Sequence, residues 1–196
     1  MSDVCVILAA GRSQRMGAQK LLLDLCGRTP LERALAAASA FPTIAVVAPD
    51  LAPHVAKNPN LSVIVNAQPE RGMAHSLALA DAAVLDPDAA LVVLLADMPL
   101  VDEALVRRMA EARGEADVAY PVRAGIGGHP VVFGPRPRSA IASLEESDTL
   151  RGLRDDPRWR RVEVAIDTDG PFLDVDTPEE FGRLGARLSS GSGTPG

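Results

Sequence analysis

Short apolar runs recur along the chain at residues 4–9, 43–48, 61–65, 91–96, 117–122, 131–133 and 162–166. Each has the length of a strand, and the stretches between the first four carry apolar positions at helical spacing. Several of those stretches have a readable start. Thr29-Pro30-Leu31-Glu32 is a capping box with proline at the first helical position, which predicts a helix to about Ala40. Asp50 is placed to cap a short helix reaching Lys57, and residues 73–85 are rich in Ala and Leu at helical period. Asp102 predicts the start of a helix that stops near Arg113, at Gly114. Thr177-Pro178-Glu179-Glu180 is a second capping box, opening a last helix that ends near Leu188. Strands alternating with helices predict an α/β fold: a three-layer α/β/α, Rossmann-like, mostly parallel sheet covered on both faces. The run LVVLLA at 91–96 has no polar alternation, as a central strand buried on both sides requires.

The second half is less regular. The glycine- and proline-rich AGIGGHPVVFGPRPR at 124–138 predicts loops around one short strand, an inserted or edge region of the same domain. Residues 1–188 then form a single domain, and SSGSGTPG at 189–196 reads as a flexible tail.

Composition narrows the functional classes. A chain of 196 residues, 47% hydrophobic, suffices for one sizeable core or at most two small ones. The formal net charge of −6 and only 3% aromatic residues argue against a nucleic-acid partner, which would need cationic grip and stacking platforms. No apolar stretch approaches the ~20 residues of a membrane helix. Cys5 and Cys26 have no C-x-x-C spacing, so neither a disulfide framework nor a zinc site is expected, and a reducing cytoplasm fits.

Against that acidic balance, the loop after the first run is unusual. It reads LAAGRSQRMGAQK at 8–20 and places Arg12, Arg15 and Lys20 around Gly11 and Gly17. Backbone amides of glycine-rich loops can converge on an anion. The spacing is not that of a P-loop, which needs lysine directly after its second glycine, nor that of a dinucleotide turn. A solvated surface loop and an anion cradle are both open on the loop alone. Charge favours the cradle: one ion pair at ~4 Å is worth roughly 4 kcal/mol at an effective dielectric near 20, and a triphosphate would engage several.

Ligands of open α/β sheets sit beyond the carboxyl ends of the strands. That rule points to this loop, to Asp97 after LVVLLA, and to the region of Asp176. On position alone, Asp97 serves equally as a turn cap or a metal ligand. Asp174 and Asp176 are two apart and face the same side of an extended segment. Thr177 already caps the last helix, which leaves Asp176 the better ligand, with Asp174 in reserve. Magnesium takes one or two such carboxylates together with substrate phosphates.

These stretches carry a resemblance. LAAGRSQRMGAQK resembles the signature of the MobA-like nucleotidyltransferases, whose fold is the nucleotide-diphospho-sugar transferase type. GMAHSL at 72–77, LLADMPLV at 94–101, GGHPVVF at 127–133 and DVDTPEEF at 174–181 are similar to the molybdenum cofactor cytidylyltransferase branch. The resemblance implies a Mg2+-dependent transfer of CMP from CTP to the phosphate of molybdopterin, with release of pyrophosphate. It implies that Arg15 and Lys20 contact phosphates and that the backbone of Leu8, Ala9, Ala10 and Gly11 lies near the base. Arg12, Ser13, Met16 and Gly17 complete the nucleotide loop, and Gly72, Met73 and Ser76 also bind the nucleotide. Asp97 becomes the first metal ligand and Asp176 the second. Gly128, His129 and Pro130 border the acceptor. A transient contact with a molybdoenzyme or its chaperone would receive the product. CTP is preferred to GTP on Ala10, where related guanylyltransferases tend to carry glycine.

Other residues are less committed. Asn66 ends a run and serves either a base edge or a turn. His75 stands where the family carries a small polar residue. Cys5, inside a strand, is expected to be an inert buried thiol. No Ser/His/Asp or Cys/His constellation stands out, which suits a reaction whose nucleophile is the acceptor's own phosphate. Rival readings are a guanylyltransferase, an enzyme acting on another phosphorylated acceptor, and a non-catalytic nucleotide-binding module.

Overall fold

The computed structural model describes residues 3–11, 19–55 and 58–191. The first half holds β1 (Val4–Ala9), α1 (Pro30–Ala37), β2 (Thr43–Val47), β3 (Leu61–Val65), α2 (Gly72–Ala82), β4 (Leu91–Leu95) and α3 (Glu103–Arg113). The second half holds β5 (Val118–Arg123), β6 (Ile126–Gly127), β7 (Val131–Phe133), α4 (Pro135–Ile141), α5 (Leu150–Asp155), β8 (Arg161–Ala165) and α6 (Pro178–Gly191).

The start signals act as the chain order suggests. The Thr29 side chain accepts from Glu32 N–H while the Glu32 carboxylate accepts from Thr29 N–H, closing the capping box of α1. The Asp102 carboxylate accepts from Leu105 N–H at 2.8 Å. At α6 the Glu180 carboxylate accepts from Thr177 N–H, and Thr177 Oγ1 accepts from Glu180 N–H.

Among the described residues, eight strands form one sheet in the order β3-β2-β1-β4-β7-β5-β6, with β8 also paired to β5. β1 pairs parallel with β2 and β4, β2 with β3, and β5 with β8. Pleating sends Cys5, Ile7 and Ala9 into a core shared with α1 and α3. Val6 and Leu8 enter a second core with α2, α4 and α5. The result is three layers with the central strands buried on both faces. Burial pushes the Cys5 thiol far above its ordinary range, which leaves it protonated and inert.

Segment 124–138 departs from expectation. β7 is not an edge strand: it is wedged antiparallel between β4 and β5, and all three of its residues are buried. A run apolar on every residue needs two covered faces, which an edge cannot supply. Residues 126 and 127 form a further short strand, reached from β5 through Ala124 (φ 50°) and Gly125 (φ 78°). Residues 135–141 are helical despite two prolines, because Pro135 sits in the first turn, where a missing N–H costs nothing. The helix expected at 50–57 is only a 3-10 turn at Ala52–His54, and Lys57 lies outside the described residues. The last helix runs to Gly191, so residues 189–191 of the expected tail are helical; 192–196 lie outside the described residues.

Candidate active site

β1 and β4 are parallel neighbours in register Leu8↔Leu95, so their carboxyl ends open side by side. Ala96 N–H donates to Leu8 C=O at 3.1 Å, which holds the start of the Asp97 turn against the start of the loop. Asp176 arrives from the far end of the chain. Val175 N–H donates to Asp97 C=O at 3.0 Å, seating the second carboxylate segment against the first. Between them lies Lys20, the first residue of a 3-10 turn at Lys20–Leu22. Its ammonium donates to Asp97 Oδ2 at 2.8 Å and to Asp176 Oδ1 at 2.7 Å. Burial alone would push the ammonium down, but hydrogen bonds and charge from the two carboxylates outweigh it and Lys20 is raised above its ordinary value.

This trio lines a cleft of about 230 Å³. Leu8, Ala9, Ala10 and Gly11 line it from β1, and Gly72, Met73 and Ser76 from the start of α2. Gly72 opens α2 with φ +83°, a conformation that favours glycine. Arg12, Ser13, Arg15, Met16 and Gly17 lie outside the described residues. Three lining residues had no role in the sequence reading: Leu21, Pro69 and Leu95. Leu21 follows Lys20 directly and Leu95 lies within the LLADMPLV stretch, whereas Pro69 carried no signal.

Other candidates sit differently. Asn66 has no exposed surface. Its amide donates to Ser76 Oγ at 3.0 Å and its carbonyl oxygen accepts from Gln68 N–H at 2.8 Å, so it braces the cleft wall from behind. Asp174 lines a separate depression with Arg183 and Arg187, and Asp176 is the carboxylate turned to Lys20. Burial and the neighbouring charges of Asp176 and Asp97 push Asp174 upward. His75 lies in a cavity shared with Arg71 and Glu146, whose side chains pair at 2.6 Å.

Gly128, His129 and Pro130 do not line the cleft; they form a tight strap beside it. His129 N–H donates to Pro171 C=O at 2.9 Å, and the His129–Pro130 peptide is cis. A Cβ on Gly128 would lie 2.1 Å from Pro171 O, and one on Gly170 would lie 2.7 Å from Leu100 O. Glycine at both positions lets the strap, the Gly170–Phe172 turn and the loop after β4 touch backbone to backbone. Burial pushes the His129 imidazole down to about 4, although the nearby Asp97 charge opposes this. His129 is therefore neutral at pH 7 and close enough to Asp97 to feel it.

The donor set suits a hard divalent cation. Two carboxylate oxygens converge on one cationic atom, and no cluster of three or more His, Cys, Asp or Glu side chains forms among the described residues. Such a cation would draw its remaining ligands from phosphate and water. Among the described residues, no helix is long and apolar enough to cross a membrane.

A mostly parallel three-layer sheet, with Asp97 just beyond the end of β4 and Asp176 gathered to the same lysine from the far end of the chain, is the frame of a nucleotidyltransferase of the Rossmann-like class. More narrowly, the chain belongs to the MobA-like NTP transferase domain family, which matches residues 5–162. It is 30% identical over 188 residues to the molybdenum cofactor guanylyltransferase of Xanthomonas euvesicatoria pv. vesicatoria (strain 85-10), covering 91% of this chain and 92% of that protein. It is 27% identical over 183 residues to the molybdenum cofactor cytidylyltransferase of Escherichia coli (strain K12), covering 90% and 92%. Among solved structures, Rv0371c from Mycobacterium tuberculosis H37Rv superposes with a TM-score of 0.83 at 29% identity, over 95% of this chain and 98% of that one. The same protein has been solved in complex with manganese, and that structure superposes with a TM-score of 0.76 at 26% identity, over 94% and 98%.

Proposed function

We propose that the chain transfers CMP from CTP to the phosphate of molybdopterin and releases pyrophosphate. The observation that carries this reading is the Lys20 ammonium, bonded to Asp97 at 2.8 Å and Asp176 at 2.7 Å on the floor of the cleft below residues 8–11. The triphosphate lies along the loop, where Arg15 and Lys20 neutralise its phosphates. Arg12, Ser13, Met16 and Gly17 complete the cradle. The base lies between the backbone of residues 8–11 and the wall of Gly72, Met73 and Ser76, which Asn66 supports. Asp97 and Asp176 hold Mg2+, which when bound would polarise the α-phosphate and neutralise the departing pyrophosphate.

The acceptor enters on the flank of Gly128, His129 and Pro130, beside Asp97. His129 is neutral there, so it offers a hydrogen bond without repelling a cation. The acceptor phosphate is itself the nucleophile. The chain supplies position and charge stabilisation, and needs no covalent side chain.

Transfer of GMP is the second reading, favoured by the 30% identity to a guanylyltransferase. Ala10, which is buried and lines the cleft, is read as favouring CTP, because a side chain there leaves less room for a purine than glycine would. Pyrophosphate release is measured with each of the four triphosphates, Mg2+ and molybdopterin. CTP is expected to give the fastest turnover. Equal or faster turnover with GTP overturns the donor assignment, and no turnover with molybdopterin for any triphosphate overturns the acceptor.

A further inference from the structure

We infer that Lys20 is a built-in counter-ion that holds the cation position between Asp97 and Asp176 until a triphosphate draws it away. The inference rests on the reading of these two carboxylates as cation ligands and adds an order to their use. Three observations carry it. The ammonium is within hydrogen-bond reach of both carboxylates, 2.8 Å from one and 2.7 Å from the other, so it occupies the space between the two oxygens. The Lys20 side chain is only 12% exposed, so it is enclosed in the cleft floor and does not sample solvent freely. The carboxylates do not depend on Lys20 to meet, because Val175 N–H bonds Asp97 C=O at 3.0 Å and Asp176 N–H bonds the Glu180 carboxylate at 2.9 Å. The pair is pre-assembled by backbone, and the lysine fills it.

An ammonium and a divalent cation cannot share that point, since like charges repel strongly at contact distance in a partly buried site. Loading the cation therefore requires Lys20 to swing out. Without nucleotide, the displaced ammonium loses two charged partners at once. With a triphosphate on the loop that Lys20 closes, it exchanges them for phosphate oxygens. Cation and triphosphate then bind with positive coupling carried by one side chain, and by linkage each strengthens the other equally.

The test titrates Mn2+ into the nucleotide-free full chain and follows the free ion by electron paramagnetic resonance. Lys20→Met is expected to bind Mn2+ about tenfold or more tightly than the wild type, because the competing charge is gone. Adding Asp97→Asn to that variant is expected to abolish the gain. Equal affinity of wild type and Lys20→Met, both lost on Asp97→Asn, overturns the counter-ion role and leaves the carboxylates as ligands. Binding that ignores Asp97→Asn overturns the ligand reading itself, and the inference with it. A second measurement needs no variant. Acylation of Lys20 by an amine-reactive reagent, read by mass spectrometry in the folded wild type, is expected to rise several-fold at saturating Mn2+. It is expected to fall again when a non-hydrolysable CTP analogue is added. Labelling that is unchanged with Mn2+ bound overturns the inference.

Discussion

Two halves of one sheet meet at Asp97, and they are built by different means. In β3-β2-β1-β4 the strands are parallel, the helices α1 and α2 cross over them, and caps and periodicity decide where each element lies. In β7-β5-β8 the strand next to β4, β7, runs backwards, and the connections are held by close backbone contact at Gly128 and Gly170. The first half presents side chains to the cleft from regular strand ends. The second works largely through side chains that are missing. Substitutions in the first half should therefore affect chemistry more than stability, and those in the second half the reverse.

The sharpest test of that contrast is Asp97→Ala. The carboxylate is partly exposed at a strand end, so the fold should persist while turnover drops about 10²-fold or more, as loss of a preorganised charge partner does. Pyrophosphate release beside a circular dichroism melt separates the two effects; near-normal release removes Asp97 from the metal site. In the opposite half, Gly128→Ala forces a methyl to within 2.1 Å of Pro171 O, a backbone atom that cannot step aside cheaply. It should cost about 3 kcal/mol in urea unfolding. A loss below about 1 kcal/mol would mean that the strap gives way easily, and the contrast between the halves would fail.

Asn66→Ala lies on the boundary. Removing a fully buried amide that donates to Ser76 and accepts from Gln68 should cost about 1–3 kcal/mol. It should also raise the KM for nucleotide by loosening the Ser76 wall; an unchanged KM would detach Asn66 from the cleft.

His129 gives the strap a pH signature. Its imidazole is pushed from 6.5 to about 4 by burial, so between these values the unfolded chain binds the extra proton. Its contribution to stability is full above 6.5 and is lost as pH falls toward 4, with a slope of at most about 1.4 kcal/mol per pH unit. His129→Gln should flatten unfolding free energy against pH in that window; an unaltered slope would mean that His129 titrates normally.

The smallest stability effect is expected at Gly11, where a Cβ would meet nothing within 4 Å. Gly11→Ala should leave stability within about 0.5 kcal/mol. Any loss of turnover then reports on the approach of ligand to the loop. A large stability loss would break the contrast from the other side.

The parts legible in the chain are those governed by neighbours in sequence. Thr29 with Glu32, Asp102 with Leu105, and Thr177 with Glu180 are pairs three residues apart, so their geometry is nearly complete in the sequence itself. The strands of the first half followed from apolar runs of strand length. Asp97 was readable as a carboxylate at the mouth of a buried strand, and Asp176 as one freed from capping by Thr177. Position left Asp97 open as a turn cap or a metal ligand; the fold turns its carboxylate to Lys20. The placement of β7 was not legible, because a three-residue apolar run carries no label for its neighbours or its direction. Helix α4 hid behind two prolines that read as loop. Asn66 was readable as polar at a strand end, but its complete burial behind Ser76 depends on α2 packing over it.

By itself, then, the sequence determined the layers, the helix starts, the loop and the residue types that meet there. Those are local properties: hydrogen bonds within one turn, alternation along one strand, charge within a dozen residues. Only the tertiary structure decided that Lys20, Asp97 and Asp176, separated by 77 and 156 positions from the lysine, meet at a single ammonium. It also decided that β7 lies inside the sheet and that glycines 128 and 170 are glycines because backbone comes too close for anything larger. The physical reason is the same in each case. Such contacts are selected by how distant surfaces fill space together, and no short-range pattern in the chain encodes that distance.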